Sequence, residues 1–178
     1  MGTVVISTAG LGTRLGTKTQ FRNKSLLSLN CKPIIAHQIE KFDPDQHILI
    51  LLGYLGDQVK ECIKTIFPKR NITFKTIKNY KGRGSGLTQT LLEAKESIKN
   101  NFIFLACDTL VKEKIVFRKE NWLGISEVTQ SSNYRTVLTD KLNNIIEIEE
   151  KNKEKKSSLA YIGLCEVFDY EGFWKSFE

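Results

Sequence analysis

The apolar residues in the first half of the chain fall into short continuous runs. Such runs occur at Thr3 to Thr8, at His47 to Leu52 and at Asn101 to Ala106, and each has the length of one β-strand. Strands that are apolar on both faces are typical of a parallel sheet that is covered on both sides. We therefore expect these three runs to form the buried centre of a parallel sheet.

Between the runs, apolar positions recur at the spacing of a helix. This pattern predicts helices over Pro33 to Phe42, Gly56 to Phe67 and Gly86 to Ile98, and an alternating strand over Ile72 to Ile77. Strands that alternate with helices predict an α/β fold. The expected architecture is a three-layer α/β/α domain with a mostly parallel central sheet.

After Ile115 the pattern changes to strands that are joined by turns. Strands are predicted over Tyr134 to Thr139, Ile145 to Ile148 and Leu159 to Phe168, whereas Glu149 to Ser158 is predicted to be a charged, exposed connection. No internal repeat and no proline- or serine-rich linker interrupts the sequence. We expect a single domain over residues 1–178 with a β-rich second half.

The composition suits one domain with its own core, because 40% of the 178 residues are hydrophobic and 26% are charged. No apolar run approaches the roughly 18 residues of a membrane span, and no cationic segment typical of a signal peptide precedes the first apolar run. The four cysteines are far apart and form no Cys-x-x-Cys pair, which favours free thiols in a reducing compartment. These features predict a soluble cytoplasmic protein that is not bound to a membrane.

The formal net charge of +7 leaves three kinds of partner open, namely nucleic acid, an acidic surface and an anionic small molecule. The densest basic stretch, Lys60 to Arg83, crosses a predicted helix, turn and strand, so its charges need not share a face. Few aromatic residues alternate with these charges, as base-stacking surfaces require. We expect a solvated basic surface that helps to attract anions, and no binding to nucleic acid. Nothing in the pattern indicates an oligomeric state.

The first predicted strand ends in a glycine-rich loop, and ligands of open α/β sheets bind at such strand ends. Gly10 and Gly12 let backbone N–H groups approach phosphate oxygens, and Arg14 supplies a cation. The loop is not a Gly-x-Gly-x-x-Gly dinucleotide motif, because Leu15 occupies the place of the third glycine, and it is not a P-loop either. A dinucleotide cofactor and P-loop hydrolysis are therefore both disfavoured.

Several motifs in this order resemble those of the nucleotidyltransferases, which share a Rossmann-like, GT-A-like fold. The loop resembles that family's Gly-x-Gly-Thr-Arg-Leu signature, and Lys24 stands where the family has a lysine after it. Further matches follow at Cys31-Lys32-Pro33, Gly53-Tyr54, Gly82 to Gly86, Cys107-Asp108, Glu150-Lys151 and Tyr161-Ile162-Gly163. The resemblance covers almost the whole chain.

The resemblance implies a role for each matching residue. It assigns the nucleotide to Ala9, Gly10, Leu11, Gly12, Thr13, Arg14, Gly53, Gly84, Ser85 and Gly86. It assigns catalysis to Lys24, Arg14 and Asp108, with Lys24 bridging the α-phosphate and the incoming phosphate and Asp108 holding Mg²⁺. It assigns the phosphorylated acceptor to Glu150, Lys151, Tyr161 and Gly163.

The implied reaction joins an NTP to a phosphorylated sugar or small metabolite and releases pyrophosphate. Two anions meet in this reaction, so the site needs cations and a metal ion more than a base. The segments around Gly53 and Gly84, and the lack of a long insertion, resemble the compact cytidylyltransferases. This resemblance favours CTP and a part in capsule or surface-polysaccharide synthesis. The alternative is a non-catalytic nucleotide-binding or regulatory domain of the same fold.

Some positions depart from the family's pattern. Asn23 occupies the place of a proline before the lysine, and Cys107 replaces the glycine of the metal site. The family's second metal carboxylate normally lies downstream of the strand that begins near Tyr161. Either Glu166 or Asp169 is expected to take its place, or the domain is truncated in this sequence and continues beyond it.

Overall fold

A computed structural model describes residues 2–177, which form one large mixed sheet, a small two-stranded sheet and flanking helices. The strands are β1 (Thr3–Ser7), β2 (Ser28–Leu29), β3 (Lys32–Pro33), β4 (Ile48–Leu52), β5 (Ile72–Thr76), β6 (Phe102–Ala106), β7 (Trp122–Glu127), β8 (Thr136–Thr139), β9 (Ile145–Glu149) and β10 (Leu159–Val167). The α-helices are α1 (Ile34–Ile39), α2 (Gly56–Ile66), α3 (Leu87–Ala94) and α4 (Tyr170–Lys175). Short 3-10 helices cover Thr13–Thr19, Lys24–Leu26, Lys95–Ser97 and Ser131–Asn133.

The large sheet has the strand order β5-β4-β1-β6-β10-β8-β9, and β7 also pairs with β10. The first four strands of this order are parallel, and β10 runs antiparallel to β6. Val5 of β1 lies opposite Leu49 of β4 on one side and Phe104 of β6 on the other. The three apolar runs are thus neighbours at the centre of the sheet. The expected three-layer fold with parallel central strands is confirmed.

Two apolar clusters cover the two faces of the sheet. On one face, Ile35 and Ile39 of α1 and Val59 and Ile63 of α2 are buried against residues of β1, β4 and β6. On the other face, α3 and α4 contribute buried residues, among them Trp174. Alternate residues of each central strand belong to opposite clusters, because successive side chains point to opposite faces. None of the helices within residues 2–177 has the length and apolarity that a membrane crossing requires.

The predicted elements differ from the observed ones mainly at their ends and in the second half. The helix predicted over Pro33 to Phe42 is shorter in the structure and comprises only α1. The helix predicted over Gly86 to Ile98 consists of α3 followed by a short 3-10 helix. The sequence pattern missed β7 and α4. Glu149, assigned to the exposed charged segment, instead ends β9 and is buried. Its carboxylate accepts hydrogen bonds from Thr136 Oγ1 and from two backbone N–H groups, which lower its pKa.

Candidate active site

A cavity of about 550 Å³ lies at the carboxyl ends of β1 and β6. These two strands are adjacent and parallel, so the loops that follow them meet at one edge of the sheet. The lining residues of this first cavity are Ser7, Ala9, Gly10, Leu11, Gly12, Thr13, Arg14, Lys24, Tyr80, Ser85, Gly86, Leu87, Thr90, Phe104, Ala106, Cys107, Asp108, Tyr161 and Gly163. Most of the residues assigned to the nucleotide are therefore brought together around one space.

The glycine loop owes its shape to Gly12. Its φ of 70° is in the left-handed region, and a Cβ atom there would lie 3.0 Å from Thr19 Cγ2 and 3.3 Å from Lys24 Cβ. The Thr19 hydroxyl donates a hydrogen bond to the Gly12 carbonyl at 3.0 Å, which ties the two ends of the loop together. Gly10 has open space where its Cβ would be. The loop thus presents an unobstructed backbone to the cavity, as close approach to phosphate oxygens requires.

Lys24 and Asp108 form an ion pair inside the cavity. The distance from Lys24 Nζ to Asp108 Oδ2 is 3.0 Å, and the side chain of Lys24 is 20% exposed while that of Asp108 is 64% exposed. Burial lowers the pKa of Lys24, but the adjacent Cys107 and Asp108 side chains raise it by more, so the net direction is upward. Lys24 is therefore fully cationic at neutral pH.

Cys107 precedes Asp108 in the chain, interacts with Lys24 and is 2% exposed. Burial raises the pKa of its thiol to about 11, against the opposing attraction of Lys24. The thiol is consequently neutral at pH 7. The Asp108 carboxylate is therefore the group with which the Lys24 ammonium pairs.

Gln38 fixes the backbone turn that carries Asp108. It is buried on α1, and its Nε2 donates to the carbonyl of Ala106 at 2.8 Å and to that of Thr109 at 2.7 Å. Thr109 Oγ1 donates in turn to the carbonyl of Ile162 on β10. The helical spacing around Gln38 marks it only as a core position, so its link to Asp108 could not be predicted from the pattern.

The wall of the first cavity beyond the glycine loop comes from the start of α3. Gly86 precedes this helix, and no side chain caps its first turn, so its first N–H groups are open to a ligand. Tyr80, Leu87, Thr90 and Phe104 also line this part of the cavity. Sequence reasoning missed these four residues, because each has the spacing of an ordinary core or surface residue.

A second cavity of about 790 Å³ adjoins the first. Ala106, Asp108, Tyr161 and Gly163 line both of them. Gly163 sits at an irregularity of β10 with a φ of 78°, and a Cβ atom there would lie 2.8 Å from the Cβ of Ala106. Burial and Cys165 raise the pKa of Tyr161, so its hydroxyl stays neutral.

The charged residues of the second cavity are mainly cationic. Lys112, Arg135 and Lys151 line it, together with the carboxylates of Asp108 and Glu113. Glu150, which was assigned to the acceptor, does not line either cavity and instead pairs with Arg135 at 3.1 Å. Its pKa is lowered by the hydrogen bond from that guanidinium. Glu150 thus pairs with a side chain that lines the second cavity and does not line it itself.

Two glycines that were assigned to the nucleotide lie outside the first cavity. Gly53 packs behind the glycine loop, where a Cβ atom would lie 2.6 Å from the carbonyl oxygen of Ala9. The next residue, Tyr54, donates its backbone N–H to that same carbonyl at 3.1 Å. Gly84 is exposed in the turn before Ser85 and is not among the lining residues. Gly53 therefore supports the loop by close contact, not by facing the cavity.

The expectation that Glu166 or Asp169 supplies a second metal carboxylate is wrong. The buried carboxylate of Glu166 accepts hydrogen bonds from the backbone N–H groups of Arg118 and Lys119 and from the Trp122 indole. Asp169 caps α4 through a hydrogen bond from Gly172 N. Neither lines the first cavity, and among the described residues no group of three or more His, Cys, Asp or Glu side chains could hold a metal ion. Asp108 is the carboxylate at this site.

No family model matches the chain, but its sequence is similar to those of several known proteins. The bifunctional protein GlmU of Methanocaldococcus jannaschii is 31% identical over 163 residues, which are 90% of this chain and 38% of that protein. The choline-phosphate cytidylyltransferase of Streptococcus pneumoniae is 30% identical over 138 residues, which are 76% of this chain and 55% of that protein. These relatives confirm the resemblance to the nucleotidyltransferase family that the motifs indicated.

A solved structure shows the same fold. The crystal structure of a glucose-1-phosphate thymidylyltransferase from Bacillus anthracis, in complex with sucrose, superposes with a TM-score of 0.78 at 24% identity. The superposition covers 94% of this chain and 73% of that one. The chain spans well under two thirds of the length of the two sequence relatives, at 38% of GlmU and 55% of the cytidylyltransferase.

Proposed function

We propose that this nucleotidyltransferase domain joins an NTP to a phosphorylated small molecule and releases pyrophosphate. The observation that carries the proposal is the Lys24–Asp108 pair, which stands beside the glycine loop where two cavities adjoin. One cavity offers backbone N–H groups and Arg14 to a triphosphate, and the other offers cations to a second anion. A site that brings two phosphates together needs this arrangement of charge.

In the proposed reaction, an oxygen of the acceptor's phosphate attacks the α-phosphorus of the NTP. A new P–O bond forms there, the bond from the α-phosphorus to its bridging oxygen breaks, and pyrophosphate leaves. The glycine loop and Arg14 hold the β- and γ-phosphates. Lys24 donates hydrogen bonds to oxygens of the α-phosphate, where negative charge grows in the transition state. The attacking group is already an anion, so no side chain has to remove a proton from it.

The Asp108 carboxylate is suited to holding Mg²⁺. It is largely exposed in the cavity and engages Lys24 through one oxygen, and Mg²⁺ is commonly held by one or two carboxylates together with substrate phosphates. Asp108 would therefore hold the ion jointly with the nucleotide. When bound, Mg²⁺ would offset the negative charge of the phosphates.

For the donor we propose CTP, and for the acceptor a phosphorylated sugar or small alcohol in capsule or surface-polysaccharide synthesis. The 30% identity to a choline-phosphate cytidylyltransferase supports this choice. The acceptor's phosphate would lie near Arg135 and Lys151 in the second cavity, with its reacting oxygen toward Asp108 and the first cavity.

The proposal is tested by pyrophosphate release. Each common NTP is supplied singly with Mg²⁺ and a panel of phosphorylated sugars and alcohols that includes choline phosphate. We expect release with CTP that depends on both the acceptor and Lys24, and that is unchanged in Lys64→Ala, an exposed lysine of α2. Release with another NTP alone would reject CTP as the donor. No release with any pair would reject the activity.

A further inference from the structure

Asn23 is a polar side chain that is completely buried directly before Lys24. Its Nδ2 donates to the carbonyl oxygen of Thr8 at 3.0 Å and to that of Tyr54 at 2.6 Å. Its Oδ1 accepts from Ser25 N at 3.0 Å and from Ser25 Oγ at 2.8 Å. Both ends of the amide are thus used, and the amide orientation is fixed because two carbonyl oxygens face its donor end.

These hydrogen bonds join three separate segments. Thr8 directly follows β1, Tyr54 lies in the loop after β4, and Ser25 belongs to the 3-10 turn that contains Lys24. A buried amide without hydrogen-bond partners is strongly unfavourable, so all three segments are held where the Asn23 amide has its partners. The turn that carries Lys24 is therefore tied to the rigid centre of the sheet through one side chain.

We propose that Asn23 is a positioning residue that holds the Lys24 ammonium 3.0 Å from Asp108. This inference rests on the proposed role of Lys24 in the reaction. Lys24 Nζ lies at the end of a long side chain, so its position depends on the backbone from which that side chain starts. A catalytic group that is misplaced by about 1 Å can lose roughly 10²-fold in rate. Asn23 acts on the rate through the backbone of Lys24 and not by touching the substrate.

The backbone of Asn23 offers a way to separate positioning from general stability. Its φ of −60° and ψ of 139° are angles that proline also adopts. Asn23→Pro removes the side-chain hydrogen bonds, and the backbone N–H that donates to Gln58 Oε1 at 3.3 Å, but keeps this φ. Asn23→Ala removes the side-chain hydrogen bonds and leaves φ free. The two variants therefore differ in the conformation that leads into Lys24.

Gln46 provides a matched control. It is also a buried amide, and its Nε2 donates to the carbonyl oxygen of Gly2 at 2.6 Å, at the opposite end of β1. Gln46→Ala should lower the melting temperature as Asn23→Ala does. It should leave the kinetic constants unchanged, because it is remote from both cavities.

The experiment measures kcat, the KM for the NTP and the melting temperature of the wild type and the three variants. We expect Asn23→Ala to lower kcat about tenfold or more with KM changed less than about threefold, which is the pattern of weakened transition-state stabilisation. We expect Asn23→Pro to retain a higher kcat than Asn23→Ala without a higher melting temperature. Equal kcat in Asn23→Ala and the wild type would overturn the inference.

Crystal structures of the two Asn23 variants give a readout that needs no activity. The inference predicts that the 3.0 Å ion pair between Lys24 Nζ and Asp108 Oδ2 is broken in Asn23→Ala and kept in Asn23→Pro. An intact ion pair in Asn23→Ala overturns it even if the wild type is inactive. An inactive wild type, together with a broken ion pair in Asn23→Ala, rejects the proposed function and supports the positioning role of Asn23.

Discussion

Lys24 and Asp108 lie 84 positions apart in the chain, yet Lys24 Nζ lies 3.0 Å from Asp108 Oδ2. The first follows the loop after β1 and the second follows the end of β6, and these strands are parallel neighbours. Their contact places a cation for phosphate oxygens beside a carboxylate suited to a metal ion. The roles of both residues can be separated by mutation.

Lys24→Ala should lower kcat by about 10²-fold, because a donor aimed at charge that develops in the transition state contributes about 3 kcal/mol. The Kd of the NTP should change little, since the loop and Arg14 supply most of the ground-state contacts. Initial rates of pyrophosphate release and calorimetric titration measure the two quantities, with Lys64→Ala as the control. A kcat within a few-fold of the wild type would make Lys24 an ordinary surface lysine.

Arg14→Ala should weaken NTP binding about tenfold, because it removes a charged contact to phosphate. The affinity should also depend less steeply on salt concentration. Calorimetry at several salt concentrations tests both effects, and Lys69→Ala, at an exposed lysine beyond α2, is the control. Unchanged affinity in Arg14→Ala would remove this residue from the triphosphate site.

Asp108→Asn should abolish the Mg²⁺-dependent reaction while the NTP still binds. With a single carboxylate in the cavity, the free protein should bind Mg²⁺ negligibly, and the ion should enter with the nucleotide. Titration of Mg²⁺ with and without NTP measures this coupling. Tight binding of Mg²⁺ without nucleotide would contradict a site that is built on Asp108 alone.

Gly53→Ala should destabilise the protein by about 1–3 kcal/mol, because the new Cβ would clash with the backbone of Ala9. Gly10→Ala is the matched control, since open space lies where its Cβ would be. Urea unfolding measures both free energies, and NTP titration should show weaker binding in Gly53→Ala. Equal unfolding free energies of the two variants would show that Gly53 does not support the glycine loop.

The unfolding free energy should fall as the pH rises from about 9 to 11. The pKa of Cys107 is raised from 9.0 to about 11 in the folded protein, so above pH 9 the unfolded state gains from ionisation while the folded state does not. The loss from this group should be about 2–3 kcal/mol. Cys107→Ala should flatten the pH dependence by that amount in urea unfolding at pH 8 to 11. The same pH dependence of the unfolding free energy in Cys107→Ala and the wild type would show that folding does not raise the pKa of Cys107.

The centre of the fold was predictable because its strands are apolar on both faces. The side chains of β1, β4 and β6 are shielded from water only in a sheet that is covered on both faces. Their continuous apolar runs therefore predict that these strands are buried. α4 was missed because its six residues are held by distant contacts, such as the rings of Phe102 and Phe173 at 5.5 Å. β7 was missed because it is partly exposed and shows no strict alternation.

The candidate site was predictable where backbone chemistry requires a particular residue. Gly12 needs a left-handed φ, and its place in the motif made it recognisable. Asn23 and Gln38 gave no such signal, because their hydrogen bonds depend on segments that only the fold brings together. Glu166 was misassigned for the same reason. The backbone N–H groups that bind its carboxylate come from a distant loop, and the sequence gives no sign of that contact.

The proposed function is the transfer of a nucleotidyl group from an NTP to a phosphorylated acceptor. NTPs labelled on the α-phosphate, incubated with Mg²⁺ and each acceptor, show whether this transfer takes place. We expect the label of CTP to move into a product that also contains the acceptor, with one unlabelled pyrophosphate released per product. We expect Lys24→Ala to lose both. NTP binding without transfer of label to any acceptor, for every NTP tested, would contradict the proposed function and leave a non-catalytic nucleotide-binding domain.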